Sequence, residues 1–489
     1  MAKPPVPEAI TPVTSPGAVN LNNGSSIFLD SSLLSSLEAI NTNEIKINEL
    51  FYQKHPGTDY DPIKLEASLE EPLPIHLEDI LARAVENNLN LNIARADSNI
   101  AKWQYWSRFS NMLPDVTMKA SYRHLNGTFF LNSGFQAPVD QGISSAGIRM
   151  NYRAFNGGAK LFLTLAEKYY RQATNEREKS AYNKVLLDSI SNYYSLLKTQ
   201  VALAARLQSI KQTEGNLDLA KTFFDVGTGT RYDVLQAEAN VARSQQNLIS
   251  EEATFRTSQI LLAEHMNYPL LTPFVIDEKQ IKDMKLIDES LTMKDFLTTA
   301  FKNNPDIRTT LKLKQAAFRE ALARTGDFLP YVDVYLDQTG TGPGFYEDLF
   351  GLTTFGIEAN YDIGKGLGAT AATNALKAKA QVKRAKLIYL QEVQQIEKGL
   401  RLAYIDFQKS KSLVEASLKE LLAAEEALRL SKLRYENGLE IMINLLQRQT
   451  EFTNAQLNLI NSTADYNIAQ AKLAYNMGTI SIDQLLNRY

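Results

Sequence analysis

Four histidines, His55, His76, His124 and His265, are the first side chains to test for metal or acid–base chemistry. They stand far apart in the chain and show no metal-ligand spacing. Serine and aspartate are plentiful, yet no nucleophile elbow or triad signature surrounds them. The segment "GKGLGAT" at 364–370 holds a Gly-Lys pair but lacks phosphate-loop spacing. Cysteine is absent, which rules out disulfides, thiolate metal sites and cysteine nucleophiles, and no lipidated N-terminal cysteine is expected. A net charge of −3 over 489 residues gives no support for nucleic-acid binding. No catalytic residue, cofactor or metal is therefore expected.

Charged residues do recur with regular spacing in four short segments. Lys119 and Arg123, then Arg149 and Arg153, alternate with Val116, Met118, Ala120 and Tyr122 and with Ile148, Met150, Tyr152 and Ala154. Asp333 and Asp337, then Glu358 and Asp362, alternate in the same way with Val332, Val334 and Leu336 and with Ile357, Ala359, Tyr361 and Ile363. Period-two alternation describes strands with one polar and one apolar face. The first pair of strands carries positive charge on its polar face, and the second pair carries negative charge.

The elements that position these strands follow from the prolines and glycines. None of the prolines falls between Pro138 and Pro269 or after Pro343, and both stretches are filled with helix formers. Gly157 and Gly158 open the first run, and Gly227 and Gly229 interrupt it. Gly364, Gly366 and Gly368 open the second, making the bend from strand to helix, and Gly438 interrupts it. This spacing predicts helices over 159–225 and 230–266, roughly 100 and 55 Å long, and a matching pair over 369–436 and 441–477. Ile190, Tyr194, Leu197, Val201 and Ala204 follow the steps of four and three that coiled-coil packing needs.

The chain is an internal duplication. Asn87-Asn88 and Leu113-Pro114 recur as Asn303-Asn304 and Leu329-Pro330 at one offset. Gly227, Gln236, Asn247-Leu248, Ala263 and Met266 recur at another as Gly438, Gln447, Asn458-Leu459, Ala474 and Met477. The expected layout is an extension over 1–72, a first repeat over 73–277, a linker over 278–290 and a second repeat over 291–489. Strands are expected at about 115–123, 147–155, 331–338 and 356–363, and tip turns at about 226–230 and 437–440. The extension is rich in Pro, Ser, Thr and Asn to about residue 26, with a short amphipathic helix expected over 27–50. Prolines at 4, 5, 7, 12 and 16 leave no visible signal peptide.

No stretch approaches the roughly 18 apolar residues of a membrane helix. The strands point to a membrane by another route. Each runs about nine residues, the length of a tilted membrane strand. Phe129, Phe130, Phe135, Phe155, Phe328 and Phe350 crowd their ends, as an interfacial aromatic girdle does. Four strands cannot close a barrel and lipid does not tolerate an open edge, so several identical subunits are required.

The ordered set of "ENN" and "KNNP" helix ends, two Leu-Pro pairs before the strands and the tip "FFDVGTGTRYDVLQAEANV", on a duplicated frame, resembles the TolC-like outer-membrane efflux proteins over about 73–489. The resemblance implies a mixed α/β membrane protein. Long antiparallel helical hairpins would form a trimeric α-barrel, continued by a twelve-stranded antiparallel β-barrel with four strands per subunit. It implies a bacterial outer-membrane location with a long periplasmic portion, and a passive conduit for efflux or type I secretion. The implied partners are two further copies, outer-membrane lipid, a periplasmic adaptor and an inner-membrane pump or ABC transporter. Val226, Gly227, Thr228, Thr230 and Gly438 would form the adaptor-docking tips. Asp233, Glu440, Asn444 and Gln447 would line the periplasmic constriction. Where relatives carry carboxylates on the second tip, alignment through Tyr435 and Gly438 places Asn444 and Gln447, so the charged ring does not carry over intact. The eight charged strand residues would face the barrel lumen. The competing reading is a soluble coiled-coil scaffold without channel activity.

Overall fold

The computed structural model describes residues 72–130, 135–278, 281, 284–288, 290–345, 349–361 and 368–486. The extension before Pro72, His55, Asp362, Ile363 and the glycines at 364 and 366 lie outside the described residues.

Each repeat begins with a short and a medium helix. In the first, β1 (Leu73–Ile75) leads into α1 (Leu77–Asn87) and α2 (Leu89–Ser110), then strands β2 (Asp115–Phe130) and β3 (Gln136–Asn156). The long helix α3 (Ala159–Asp225) follows, then α4 (Arg231–Met266) and β4 (Phe274–Ile276). The second repeat has the same order: α5 (Met293–Asn303), α6 (Pro305–Thr325), β5 (Tyr331–Pro343), β6 (Phe350–Asn360), α7 (Ala369–Glu436), α8 (Met442–Met477) and a terminal turn α9 (Ile482–Leu486). The long helices span 67 and 68 residues and both return helices span 36, so the duplication is preserved in the paired helices and strands.

The paired asparagines explain how each repeat is fastened. Asn88 caps α2, its Oδ1 accepting from the Leu91 amide at 3.2 Å, while its Nδ2 donates to the His265 carbonyl at 2.8 Å. Asn304 caps α6 in the same way and its Nδ2 donates to the Asn476 carbonyl at 3.2 Å. One side chain thus satisfies an orphan amide at one helix start and an orphan carbonyl at the end of the return helix.

The main core lies where α1, α5, β4 and the ends of α4 and α8 gather on the middle of α3 and α7. Leu81, Ile190, Tyr193, Tyr194, Phe274 and Phe296 are fully or almost fully buried there. Of the expected α3 stripe, Ile190, Tyr194 and Leu197 are buried and Val201 half-buried, but Ala204 is exposed. Residues 278–290, expected as a linker, include a packed strap. Its Met284 amide donates to Asn467 at 2.8 Å, its Leu286 amide donates to Gln470 at 2.9 Å, and Gln470 returns a bond to the Met284 carbonyl.

The four long strands form one antiparallel sheet in the order β2-β3-β5-β6. They run 16, 21, 13 and 11 residues, further than the alternation suggested. The distal parts contain Gly127, Pro138, Gly142 and Gly340, which blur the two-residue period without ending the ladder. β6 also starts earlier than expected and ends before Tyr361. A bulge between Arg153 and Phe155 shifts the register, so Phe155 pairs with Val332 and takes the apolar-face place expected for Ala154.

Strand passes to helix where Gly157 meets Gly326. Gly157 has φ +64°, and a Cβ there would come within 2.3 Å of the Gly326 carbonyl oxygen. Only glycine fits so close a backbone approach.

Candidate functional site: strand faces and helical tips

The register brings the charged strand residues onto one face. Arg153 lies opposite Asp333 and Arg149 opposite Asp337, at the junction of the two hairpins. Arg153 donates Nε to Oδ1 of Asp333 at 2.8 Å and a terminal nitrogen to Oδ2 at 3.0 Å, a fork-on-fork pair. Its guanidinium also covers the Tyr331 ring at 4.3 Å. Arg149 Nε donates to Asp337 at 2.8 Å, and Thr339 donates to the same carboxylate at 2.6 Å. Lys119 faces Gly147, and Arg123 faces Ile143. Glu358 lies opposite Asp333, a like-charge neighbour, while the Asp333 carboxylate turns instead to Arg153.

The opposite face is apolar and uncovered. Met118 is 78% exposed, Phe355 70% and Ile357 68%, with Val116, Ile148, Met150 and Leu336 beside them. Among the described residues no helix packs over them, and β2 and β6 each leave one edge of the sheet without a partner strand. A face this large has no counterpart on an ordinary soluble monomer.

The helices are arranged the same way. Along the long helices α3 packs with α4 and α8, and α8 with α7; nearer the strands α3 packs with α2 and α6, and α6 with α7. The outer members, α2 and α4 on one side and α7 on the other, show large apolar residues to solvent: Ile93, Ile100 and Trp103, then Ile249 and Ile260, against Leu376, Leu387, Leu402 and Ile405.

At the far end lie two tips. Gly227 adopts φ +80° with open space around it, which admits the chain reversal expected from the sequence. Gly229 is required for a different reason, since a Cβ would meet the Phe224 amide nitrogen at 2.9 Å and the Phe223 carbonyl carbon at 3.0 Å. Val226, Thr228 and Thr230 are exposed. Thr230 caps α4, and Asp233 closes a reciprocal box, accepting from the Thr230 amide at 3.1 Å and hydroxyl at 2.6 Å. The Asp233 carboxylate is thus engaged by its own helix start.

The second tip turns on Gly438 at φ +70° and exposes Leu439, Ile441 and Ile443. Glu440 lies 3.9 Å from Arg434, Asn444 is half-buried, and Gln447 donates to Glu451 at 3.0 Å. The tips join through Phe223 and Tyr435, whose ring centroids are 5.4 Å apart, over a small core of Val234, Met442 and Leu445. Burial there pushes the Tyr435 hydroxyl above its usual range, with Asp233 adding to the shift.

The described histidines remain dispersed. His76 lies 3.6 Å from Asp277 and His124 2.8 Å from Asp140. His265 is buried with Nε2 2.8 Å from the Ser189 hydroxyl, which itself donates to the Val185 carbonyl. That leaves Ser189 accepting from a neutral imidazole protonated on Nε2. Burial lowers the His265 pKa, against a partial opposing pull from Asp188. Among the described residues no group of three or more His, Cys, Asp or Glu is placed to hold a metal, and no helix is long and apolar enough to cross a membrane.

A sheet with one uncovered apolar face and a charged opposite face, continued by helical hairpins of this length, defines the subunit of a membrane conduit. The chain belongs to the outer membrane efflux protein family, whose model matches residues 80–267 and 296–479. It is similar to the outer membrane efflux protein BepC of Brucella suis, 21% identical over 416 residues covering 84% of this chain and 86% of the relative. It is also similar to TolC of Escherichia coli, 21% identical over 435 residues and 84% of each chain. Among solved structures, the outer-membrane channel OprN superimposes with a TM-score of 0.74 at 17% identity, covering 83% of this chain and 90% of that one. The Campylobacter jejuni CmeC channel gives 0.73 at 17% identity, covering 84% and 88%. The protein is thus an outer-membrane efflux channel and not an enzyme, and the soluble scaffold is set aside.

Proposed function

We propose that three copies of this chain close into one passive duct through the outer membrane, with the helices forming a hollow barrel through the periplasm. The observation that carries this reading is that, among the described residues, every layer ends in unpartnered edges on opposite sides: β2, α2 and α4 on one, β6 and α7 on the other. Such an edge pair makes a head-to-tail contact, which closes when the rotation per subunit completes a ring. Three copies of four strands give a twelve-stranded barrel whose apolar face meets lipid and whose charged face meets the aqueous lumen. Lys119, Arg123, Arg149, Arg153, Asp333, Asp337 and Glu358 then line that lumen.

The tips carrying Val226, Gly227, Thr228, Thr230 and Gly438 dock a periplasmic adaptor, which couples the duct to an inner-membrane pump or ABC transporter. Asp233, Glu440, Asn444 and Gln447 lie at the periplasmic constriction. Asn444 and Gln447 offer multivalent cations no charge, so a trivalent cation blocks the wild-type channel poorly and blocks an Asn444→Asp, Gln447→Asp variant tightly.

The cysteine-free sequence makes closure directly testable. Cysteines introduced at Ala120 on β2 and Thr353 on β6 should oxidise to a covalent trimer in detergent. A detergent-free monomer stable at micromolar concentration would refute the duct.

A further inference from the structure

A cavity of about 40 Å³ lies between α3, α4 and α8, well up from the tips, and the duct reading above assigns it nothing. Its lining includes two arginines, Arg206 of α3 and Arg243 of α4, and no aspartate or glutamate. The Nε of Arg206 is buried without a hydrogen-bond partner, and the nearest carboxylate oxygen, on Glu251, stays 3.9 Å away. Asn240 is 9% exposed, and its Nδ2 is also buried without an acceptor. Thr213 and Thr453 give their hydroxyl protons to the Ile210 and Gln449 carbonyls at 2.9 and 3.0 Å. The cavity therefore holds two buried nitrogen donors without an acceptor, Arg206 Nε and Asn240 Nδ2, in a lining that carries positive and no negative side chains.

Buried donors without acceptors cost about 1–3 kcal/mol each, more when charged, so such a pocket favours an occupant that accepts from all of them. A water molecule accepts at most two bonds and carries no charge. A small anion accepts from guanidinium and amide together and offsets one unit of the positive charge that the two arginines bring. We propose that this cavity binds one small inorganic anion of halide size, chloride under ordinary conditions. Its place gives it a consequence. The direct polar contacts between α3 and α8, Thr453 to Ser209 at 3.3 Å and Gln449 to Gln212, lie in the same seam. An anion held by Arg206, Asn240 and Arg243 braces the first hairpin against the second.

The site lies within one subunit, so its test does not depend on trimer closure. Purified full-length protein in detergent is melted in sodium chloride and in sodium gluconate at equal ionic strength, which separates binding from screening. Chloride should raise Tm along a saturable curve, and gluconate, too large for the cavity, should not. Arg243→Gln, at an exposed position that leaves the fold intact, should weaken the apparent chloride affinity by about tenfold or more, the effect of one charge-assisted bond. Lys221→Gln, outside the cavity, should leave it unchanged. Crystals soaked in bromide should show an anomalous peak between Arg206 and Arg243. Indistinguishable melting in the two salts with no bromide peak would overturn the proposal. A response to sulfate or phosphate with none to chloride would also overturn it.

Discussion

The Arg153–Asp333 pair should hold the two hairpins in register more strongly than its neighbour Arg149–Asp337, although both cross the same β3–β5 junction. The difference lies in burial and geometry. Asp333 is only 8% exposed and receives two bonds from one guanidinium, which also lies over Tyr331. Arg149 is more exposed, and its carboxylate partner already has a second donor in Thr339. Breaking a fully buried pair costs about 3–5 kcal/mol because an unpaired charge remains. The Arg153 side chain is 40% exposed, so water reaches the carboxylate and Arg153→Ala should cost nearer ~2 kcal/mol. Arg149→Ala should cost distinctly less, since Thr339 still holds Asp337. The charge swap Arg153→Asp with Asp333→Arg should recover much of the loss, giving a coupling of about 1–2 kcal/mol in a double-mutant cycle. The assay is denaturant unfolding of the detergent-solubilised protein followed by circular dichroism. Equal damage from both arginines, or strictly additive damage with no recovery, would show that these charges merely face water.

Three further outcomes are expected. Gly229→Ala should destabilise the first tip more than Gly227→Ala, because the former clashes with Phe223 and Phe224 backbone and the latter meets only a left-handed φ worth about 1 kcal/mol; limited proteolysis at the tip reads the order. The lowered pKa of His265 means that the unfolded chain takes up the proton first, so stability should fall as pH drops through 6.5; a His265→Gln variant, melted from pH 7.5 to 5, should lose that part of the slope. Ile441→Ser supplies the missing cap of α8 and should raise stability by roughly 0.5–1 kcal/mol while weakening the proposed adaptor contact; unchanged adaptor binding in a pull-down with purified partner would count against the second tip.

The long-range order of this fold was legible because its punctuation is unambiguous. Gly157, Gly227, Gly368 and Gly438 stand at helix boundaries, and all four take positive φ. The polar and apolar faces of the strands were legible from alternation alone, and the register places the charged residues on one side as expected. Three features were not legible. The Ala154 bulge changes which residue reaches the apolar face, and a bulge leaves no mark in a pattern of period two. The strand ends contain glycine and proline, which local rules read as loop although the ladder continues through them. The network of Asn88, His265 and Ser189 joins residues 76 to 177 positions apart, and only the repeated asparagines hinted that those positions mattered.

Duplication gave the two halves the same elements, but the tips have diverged in what each needs from outside. The first is complete in itself: Thr230 and Asp233 satisfy the start of α4, and Gly229 lets the turn close tightly on Phe223. The second has Ile441 at the start of α8, with no side-chain cap, so amides there are left to solvent or to a partner. Around that start Leu439, Ile441 and Ile443 stand exposed, where a free turn would carry polar residues. A turn that lacks its own cap and shows three branched apolar side chains gains more from being covered than one already satisfied. Under the adaptor docking proposed above, exposed Leu439 and Ile441 therefore favour contact at the second tip. Where the first tip presents a polar turn the second presents an apolar one, and the polar bonds missing at α8 are ones a partner backbone could supply.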